Sequence, residues 1–115
     1  MKINEIINES LTESKLYTGV FPDGVLKLTH HFDDERRIER DIDMDQVLDM
    51  CHRAGKQWPE KIAEFHDESF VIVDWDGLGV ALVKQETSPG KYTYILKTAR
   101  NPLRIGMNQQ VIRLR

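Results

Sequence analysis

The strongest constraint on the fold is a pair of apolar runs, residues 70–75 and 78–83, separated by Asp76 and Gly77. An Asp-Gly pair favours the tight turn whose twist matches that of two paired strands. The runs therefore predict a β-hairpin. Because both strands are almost entirely apolar, we expect both faces of the hairpin to be covered and the hairpin to lie near the centre of a sheet.

More strands are predicted on both sides of this hairpin. Residues 16–20 and 25–29 are rich in β-formers and flank a Pro-Asp-Gly turn at residues 22–24. Residues 91–99 and 110–114 predict two strands after the hairpin. Alternate side chains of a strand share a face, which gives two sets in residues 91–99: Tyr92, Tyr94, Leu96 and Thr98 on one face, and Thr93, Ile95 and Lys97 on the other.

Helices are predicted before and between these groups of strands. Asp43, with Gln46 three residues later, forms a capping box that starts a helix, and Gly55 is placed to end it. Pro59 suits the first turn of a second, short helix. The isoleucine spacing in residues 1–12 predicts a short amphipathic helix, which either lies across the domain or docks to a partner.

Together these elements predict a single α+β domain over residues 1–115. The expected architecture is an antiparallel sheet of about four to six strands with the N-terminal helices packed on one side, because helices and strands are grouped along the chain. A chain of 115 residues is of ordinary size for one domain.

Charge and cysteine content limit the cellular compartment and the binding partners that we expect for this chain. The net charge of −3 gives no general attraction to nucleic acid or anionic membrane. The single cysteine rules out an intramolecular disulfide, and no apolar run approaches a membrane span, so we expect a cytoplasmic protein without a membrane partner. From residue 97 onwards, however, the chain has no Asp or Glu, and its charged residues are Lys97, Arg100, Arg104, Arg113 and Arg115.

Residues 28–42 combine a strand-like start with a charge-rich helix. On a helical projection Ile38 and Ile42 face the core, and Arg36 and Arg40 are neighbours at the rim of the buried face. Two adjacent cations repel each other unless an anion lies between them, either a carboxylate of this chain or a phosphate. A solvated helix with internal ion pairs is the alternative interpretation.

The combination of His31, Arg36 and Arg40 with a late strand ending at residues 96–100 resembles the small RelE/barnase-like (BECR-type) ribonuclease-toxin superfamily. In layout and in its opening residues, the chain is also similar to small proteins of T4-like marine phages. The resemblance covers residues 28–100.

The resemblance implies RNA binding, or metal-independent RNA cleavage by acid/base chemistry without a cofactor. His31, or alternatively His30, would be the acid/base; Arg36 and Arg40 would hold the phosphate, and Thr98 would donate to it. The expected RNA-binding residues are His30, Lys97, Arg100 and Arg104. When the arginines are aligned with those of the family, Phe32 stands at the histidine position, so binding without cleavage stays open.

Other chemistry is less well supported by the sequence. The four histidines, His30, His31, His52 and His66, lack the spacing of a zinc motif, and the Cys51-His52 pair has no second pair. No metal site is therefore predicted, and Cys51 is interpreted as a core residue. Four aromatic residues could either stack on bases or pack in the core: Trp58, Trp75, Tyr92 and Tyr94.

The main alternative to an RNA-directed function is a non-enzymatic role on the same scaffold. The chain would then be a phage interaction protein or a virion-associated protein that binds a host or phage protein. Its N-terminal helix, or its arginine-rich C-terminal strand added to a partner's sheet, would form the contact. The expected location is the host-cell cytoplasm, with the virion as the alternative.

Overall fold

Runs of β-branched and aromatic residues bounded by turns form most of the secondary structure. The computed structural model describes residues 4–7, 15–28 and 42–115. Its strands are β1 (Asn4–Ile7), β2 (Lys15–Phe21), β3 (Gly24–Leu28), β4 (Glu68–Val73), β5 (Gly79–Ser88), β6 (Lys91–Arg100) and β7 (Gln110–Arg113). Helices α1 (Met44–Gln57) and α2 (Pro59–Ala63) precede β4. Both predicted hairpins, β2–β3 and β4–β5, are confirmed.

The described strands form one sheet in the order β1-β2-β3-β6-β5-β4-β7. The α+β class is confirmed, but the sheet is mixed, whereas an antiparallel sheet was predicted. β3 runs parallel to β6, and β4 runs parallel to β7. The side-chain alternation of a strand identifies its faces and not the direction of its neighbours, so this difference could not be read from the sequence.

At the N-terminus, Asn4–Ile7 is a strand, whereas a helix was predicted over residues 1–12. β1 pairs in antiparallel register with β2, at the edge of the sheet. A helix of this length is marginal without packing, while β-branched isoleucines favour the extended chain and an open sheet edge offers backbone hydrogen bonds. The isoleucine spacing is helical, but the β-propensity of these residues and the open sheet edge favour the strand.

Helix α1 begins as predicted and ends later than predicted. The Asp43 carboxylate accepts a hydrogen bond from the Asp45 amide at 3.0 Å, so the predicted cap is confirmed. Gly55 lies inside α1 instead of ending it. A Cβ at Gly55 would lie 3.3 Å from Pro22 Cδ, so glycine lets α1 pack closely on the β2–β3 turn. Helix α2 begins at Pro59, also as predicted.

A second glycine allows the central parallel pairing of the sheet. Gly24 is paired with Tyr92, and a Cβ at this position would lie 2.4 Å from the Tyr92 carbonyl oxygen. Only glycine therefore lets β3 approach β6 so closely.

One face of the sheet, which we call the core face, packs against α1 and α2. The apolar core of the described residues is continuous from β3 to β7 and includes Leu26, Tyr94, Leu96, Leu82, Phe70, Ile72 and Ile112. The helices contribute Val47, Met50, Cys51, Ala54 and Ile62. Lys84 is fully buried on this face, and it is the one buried charged residue in the described part of the chain.

Candidate functional site

The predicted site residues divide into two groups. His30, His31, Arg36 and Arg40 lie outside the described residues, as do Phe32 and most of the predicted charge-rich helix. Lys97, Thr98 and Arg100 belong to the last part of β6, and Arg104 follows in the loop before β7. The expected convergence of the two groups is therefore still a prediction.

A bulge in β6 changes the predicted face of Thr98. Ala81 pairs with Thr98 and Leu82 pairs with Leu96, which leaves Lys97 as the extra residue. The core face is then continued by Ala99, which is fully buried, whereas Thr98 is half-buried on the face shared with Ala81. The prediction that Thr98 shares a face with Leu96 was wrong, because a bulge reverses the alternation beyond it.

The β4–β5 turn presents the most exposed aromatic residue of the described chain. The side chain of Trp75 is 87% exposed. Backbone hydrogen bonds close the turn on both sides of it: the Asp74 amide donates to the Leu78 carbonyl at 2.9 Å, and the Gly77 amide donates to the Asp74 carbonyl at 3.1 Å. The Trp75 amide also donates to Asp74 Oδ1 at 2.9 Å. The turn that carries the indole is thus closely constrained.

An ion pair with α1 fixes the base of this turn. Arg53 Nη2 donates to Asp74 Oδ2 at 2.7 Å, and its Nε donates to Asp49 at 2.8 Å. The hydrogen bond from Arg53 lowers the pKa of the Asp74 carboxyl, although partial burial acts in the opposite direction. Asp74 is therefore ionised at neutral pH and its charge is compensated by Arg53.

The loop after β6 folds back onto the same turn. A Cβ at Gly79 would lie 2.5 Å from Leu103 Cβ, and one at Gly77 would lie 3.1 Å from Asn101 Oδ1. Gly77 has a φ of +95°, so its left-handed conformation also favours glycine. This packing brings the chain around Arg104 to the end of the sheet that carries Trp75.

Exposed cations accompany the indole at this end. Lys97, Arg100 and Arg104 are all exposed. Arg100 pairs with Gly79, the first residue after the turn region. We call the set formed by Trp75, Lys97, Arg100 and Arg104 the basic end. A flexible cation suits a phosphate contact and a planar indole suits stacking on a base.

The opposite end of the sheet holds a buried cluster that the sequence interpretation missed. Lys84 Nζ donates to Asp23 Oδ2 at 3.0 Å and to the Ile62 carbonyl at 2.8 Å. It also lies 4.2 Å from the centroid of the Tyr92 ring. The Tyr94 hydroxyl donates to the other oxygen of Asp23. We call Lys84, Asp23, Tyr92 and Tyr94 the lysine cluster.

The lysine cluster has the features of a structural network. The Lys84 ammonium and the Tyr94 hydroxyl both donate to the Asp23 carboxylate, and the ammonium group is buried away from solvent. Burial, followed by the hydrogen bond to Asp23, raises the pKa of Tyr94, so its hydroxyl stays protonated. One signal for this cluster was available in the sequence: Lys84 is in phase with Val80 and Leu82, two buried positions of the same strand.

The four candidate stacking residues differ in accessibility. Tyr94 is buried and Tyr92 lies against Lys84. Trp58 is covered by Arg115, whose guanidinium carbon lies 4.2 Å from the ring centroid, and its Nε1 donates to the Arg113 carbonyl. Of these four, Trp75 alone is exposed, whereas Trp58 and Tyr92 are half-buried.

Cys51 is confirmed as a core residue. It is fully buried, and burial raises the pKa of its thiol to about 12, so the thiolate needed for a nucleophile is not formed at neutral pH. His52 lines an open apolar groove of about 710 Å³ beside the β2–β3 turn. Within the described ranges, no group of three His, Cys, Asp or Glu residues is arranged to hold a metal ion.

The C-terminal strand β7, which was predicted to add to a partner's sheet, lies at one edge of the described sheet. The Leu114 amide donates to the Val73 carbonyl of β4, so alternate residues of β7 direct their backbone groups away from the sheet. Two of these outward carbonyls already accept hydrogen bonds: Lys61 Nζ donates to Val111 and Trp58 Nε1 donates to Arg113. Side chains that occupy edge carbonyls hinder the addition of another strand.

Comparison with known proteins gives no relative. No family model, curated protein or solved structure matches the chain. In the part of the chain that is described, no helix is long and apolar enough to cross a membrane.

Proposed function

We propose that the chain is an RNA-binding domain of RelE/barnase-like type and that the basic end is its RNA-contacting surface. The observation that carries this proposal is the exposure of Lys97, Arg100 and Arg104 at one end of the sheet, in a segment with no Asp or Glu from residue 97 to residue 115. The overall charge of −3 is thus compatible with a local basic surface.

The charges around the turn set a condition on this assignment. Asp74 pairs with Arg53 at 2.7 Å, but Arg53 also pairs with Asp49, and Asp76 in the same turn is exposed, so the cations of the basic end have to outweigh nearby carboxylates. Each cation that contacts a phosphate releases a condensed counterion, so RNA affinity should fall with salt, with a logarithmic slope of about −0.7 per contacted phosphate of a single strand.

The proposal extends to cleavage through the residues named by the resemblance. In that chemistry a base removes the 2′-OH proton, the oxygen attacks the adjacent phosphorus, and an acid protonates the leaving 5′ oxygen. His31 or His30 would transfer the protons, and Arg36 and Arg40 would stabilise the phosphorane charge. Thr98, next to the exposed Lys97, would donate to the same phosphate.

Binding and cleavage are tested in one experiment. The purified chain is incubated with labelled RNA in EDTA at several salt concentrations, and binding is followed by anisotropy and cleavage by electrophoresis. We expect salt-sensitive binding that weakens in Lys97→Ala and Arg104→Ala. If the chain is also an enzyme, His31→Ala and Arg36→Ala should bind but not cleave. A wild-type chain that neither binds nor cleaves RNA contradicts the proposal.

A protein-binding role is the second candidate, favoured by the exposure of two apolar side chains in the β6–β7 loop. Met107 is fully exposed and Ile105 is 38% exposed. The occupied carbonyls of β7 argue against sheet extension at that edge, so this loop would be the contact. Light scattering after size-exclusion chromatography, with Met107→Ser as the variant, tests whether the loop drives association. A wild-type chain that elutes as a strict monomer and captures no protein from a host lysate counts against this candidate.

A further inference from the structure

The nature of the RNA partner can be inferred from the way the β4–β5 turn presents its indole. We propose that the basic end binds single-stranded RNA, with one unpaired base stacked on Trp75 and the flanking phosphates held by Lys97 and Arg104. This inference rests on the proposed RNA-binding function and specifies the class of RNA and the stacking residue.

The first support is the contrast between Trp75 and the other large aromatic residues. Tyr94 is buried and Trp58 is covered by Arg115, whereas the side chain of Trp75 is 87% exposed. An exposed indole leaves a large apolar face in water, and stacking on a base would remove that face from water. The ring therefore contributes little to the fold and is available to a ligand.

The second support is the constraint on the turn backbone. Hydrogen bonds within the turn involve Asp74 on one side of the indole and Leu78 on the other, and Arg53 fixes Asp74 from α1. A residue whose backbone is held in place before binding loses less conformational entropy when a ligand arrives. At Trp75 the backbone is fixed in this way, so stacking has to order only the indole side chain.

The third support is the combination of indole and cations, which determines the form of the RNA. In an A-form duplex the bases are stacked on each other and cannot reach a projecting ring, whereas unpaired bases can stack on aromatic side chains. Arg104 follows Leu103, which packs on Gly79 beside the turn, so a cation and the indole lie at the same end of the sheet. A strand that stacks one base on Trp75 can thus reach a cation with its backbone.

The test compares a short unstructured oligouridine with an RNA duplex of equal length, using both anisotropy and tryptophan fluorescence. We expect the wild-type chain to bind the single strand at least about tenfold more tightly than the duplex, since stacking contributes about 1–3 kcal/mol per base. Binding should quench the indole emission. Trp75→Leu should weaken single-strand binding by about 10-fold to 100-fold, with the salt slope retained.

The second tryptophan provides a matched control. The chain has two tryptophans, so Trp58→Phe leaves Trp75 as the only emitter, and the quenching must remain in that variant. In Trp75→Leu the quenching must disappear. Lys97→Ala and Arg104→Ala should each reduce the magnitude of the salt slope by about 0.7 without removing the quenching.

The outcomes separate this inference from the proposed function. If the wild type binds RNA in a salt-sensitive way but Trp75→Leu binds equally well, or duplex and single strand bind alike, the stacking inference is wrong and the proposed function stands. If no RNA binds, both are wrong. In that case, self-association of the wild type that Trp75→Leu abolishes would assign the indole to a protein contact. Circular dichroism of each variant confirms that it is folded.

Discussion

The two ends of the sheet use the same kinds of side chain in opposite ways. Each end has a cation–carboxylate pair and an aromatic residue beside it. In the lysine cluster, the buried Tyr94 donates a hydrogen bond to the Asp23 carboxylate of the Lys84–Asp23 pair, and the ammonium group has no access to solvent. Beside the basic end, the Arg53–Asp74 ion pair joins the β4–β5 turn to α1, and Trp75 in that turn is exposed to water. Burial of the aromatic ring, and not the presence of an ion pair, therefore distinguishes the structural end from the candidate binding end.

The largest expected effect concerns the buried cation. Lys84→Ala removes a charge that compensates Asp23 and leaves the Ile62 carbonyl without its donor. Since Asp23 is partly exposed, we expect the free energy of unfolding to fall by about 3 kcal/mol, at the lower end of the range for a broken buried pair. Urea unfolding measures this loss.

Two further variants show whether charge or volume causes that loss. Lys84→Met keeps the aliphatic volume and should lose less than Lys84→Ala. Lys91→Ala removes an exposed lysine at the start of β6 and should change the free energy of unfolding by less than about 0.5 kcal/mol. If Lys84→Ala behaves like Lys91→Ala, the lysine cluster is not a structural element and the contrast between the two ends disappears.

The next effect concerns the parallel pairing beside the lysine cluster. Gly24→Ala places a Cβ 2.4 Å from the Tyr92 carbonyl oxygen, so β3 and β6 must move apart. We expect a loss of about 2–3 kcal/mol, as for other overpacking substitutions. Gly106→Ala is the matched control, because its Cβ would meet nothing closer than 3.8 Å. Equal unfolding midpoints for the two variants would refute the close approach of the strands.

A smaller effect on the free energy of unfolding is expected at the Arg53–Asp74 ion pair beside the basic end, and this effect depends on pH. Asp74→Asn weakens the charge-assisted hydrogen bond from Arg53 Nη2, for which we expect a loss of about 1–2 kcal/mol in the free energy of unfolding at neutral pH. Because the pKa of Asp74 is lowered from its ordinary value of 3.8, the unfolded chain binds more protons than the folded chain as pH falls through this region. The contribution of the pair is thus present above pH 3.8 and is lost as pH falls through the lower pKa of the folded state.

The difference between wild type and Asp74→Asn should therefore be largest near neutral pH and should narrow below about pH 4. Thermal unfolding of both proteins across that range measures it. A difference that stays constant down to strongly acidic pH would show that Arg53 does not stabilise the ionised carboxylate.

Much of the fold could be predicted because the relevant signals are local. The Asp76-Gly77 turn, the Asp43 cap and the Pro59 start each depend on a few consecutive residues, and all are confirmed. The parallel pairings, the edge strand at Asn4–Ile7 and the β6 bulge depend on which strands become neighbours. That information lies in contacts between distant parts of the chain, so local patterns could not supply it.

The candidate site was predictable only in its charge. The run of cations from Lys97 onwards is visible in the sequence, and the described members are exposed as a binding surface requires. The role of Trp75 was not separable from that of Tyr94, because both lie in aromatic, strand-forming segments. Trp75 is exposed because it lies in the β4–β5 turn, whereas Tyr94 is buried because it lies on the core face, which the helices cover.

The smallest expected effect on stability is at Trp75, and it gives the sharpest contrast between the two ends. Trp75→Leu should change the free energy of unfolding by less than about 0.5 kcal/mol, as for other exposed positions without packing contacts. Tyr94→Phe removes the hydroxyl that donates to Asp23 and should cost about 1 kcal/mol, although it deletes a single atom. Urea unfolding of both variants makes the comparison. A loss at Trp75 larger than that at Tyr94 would mean that the indole packs against the fold, and it would then be unavailable for stacking on a base.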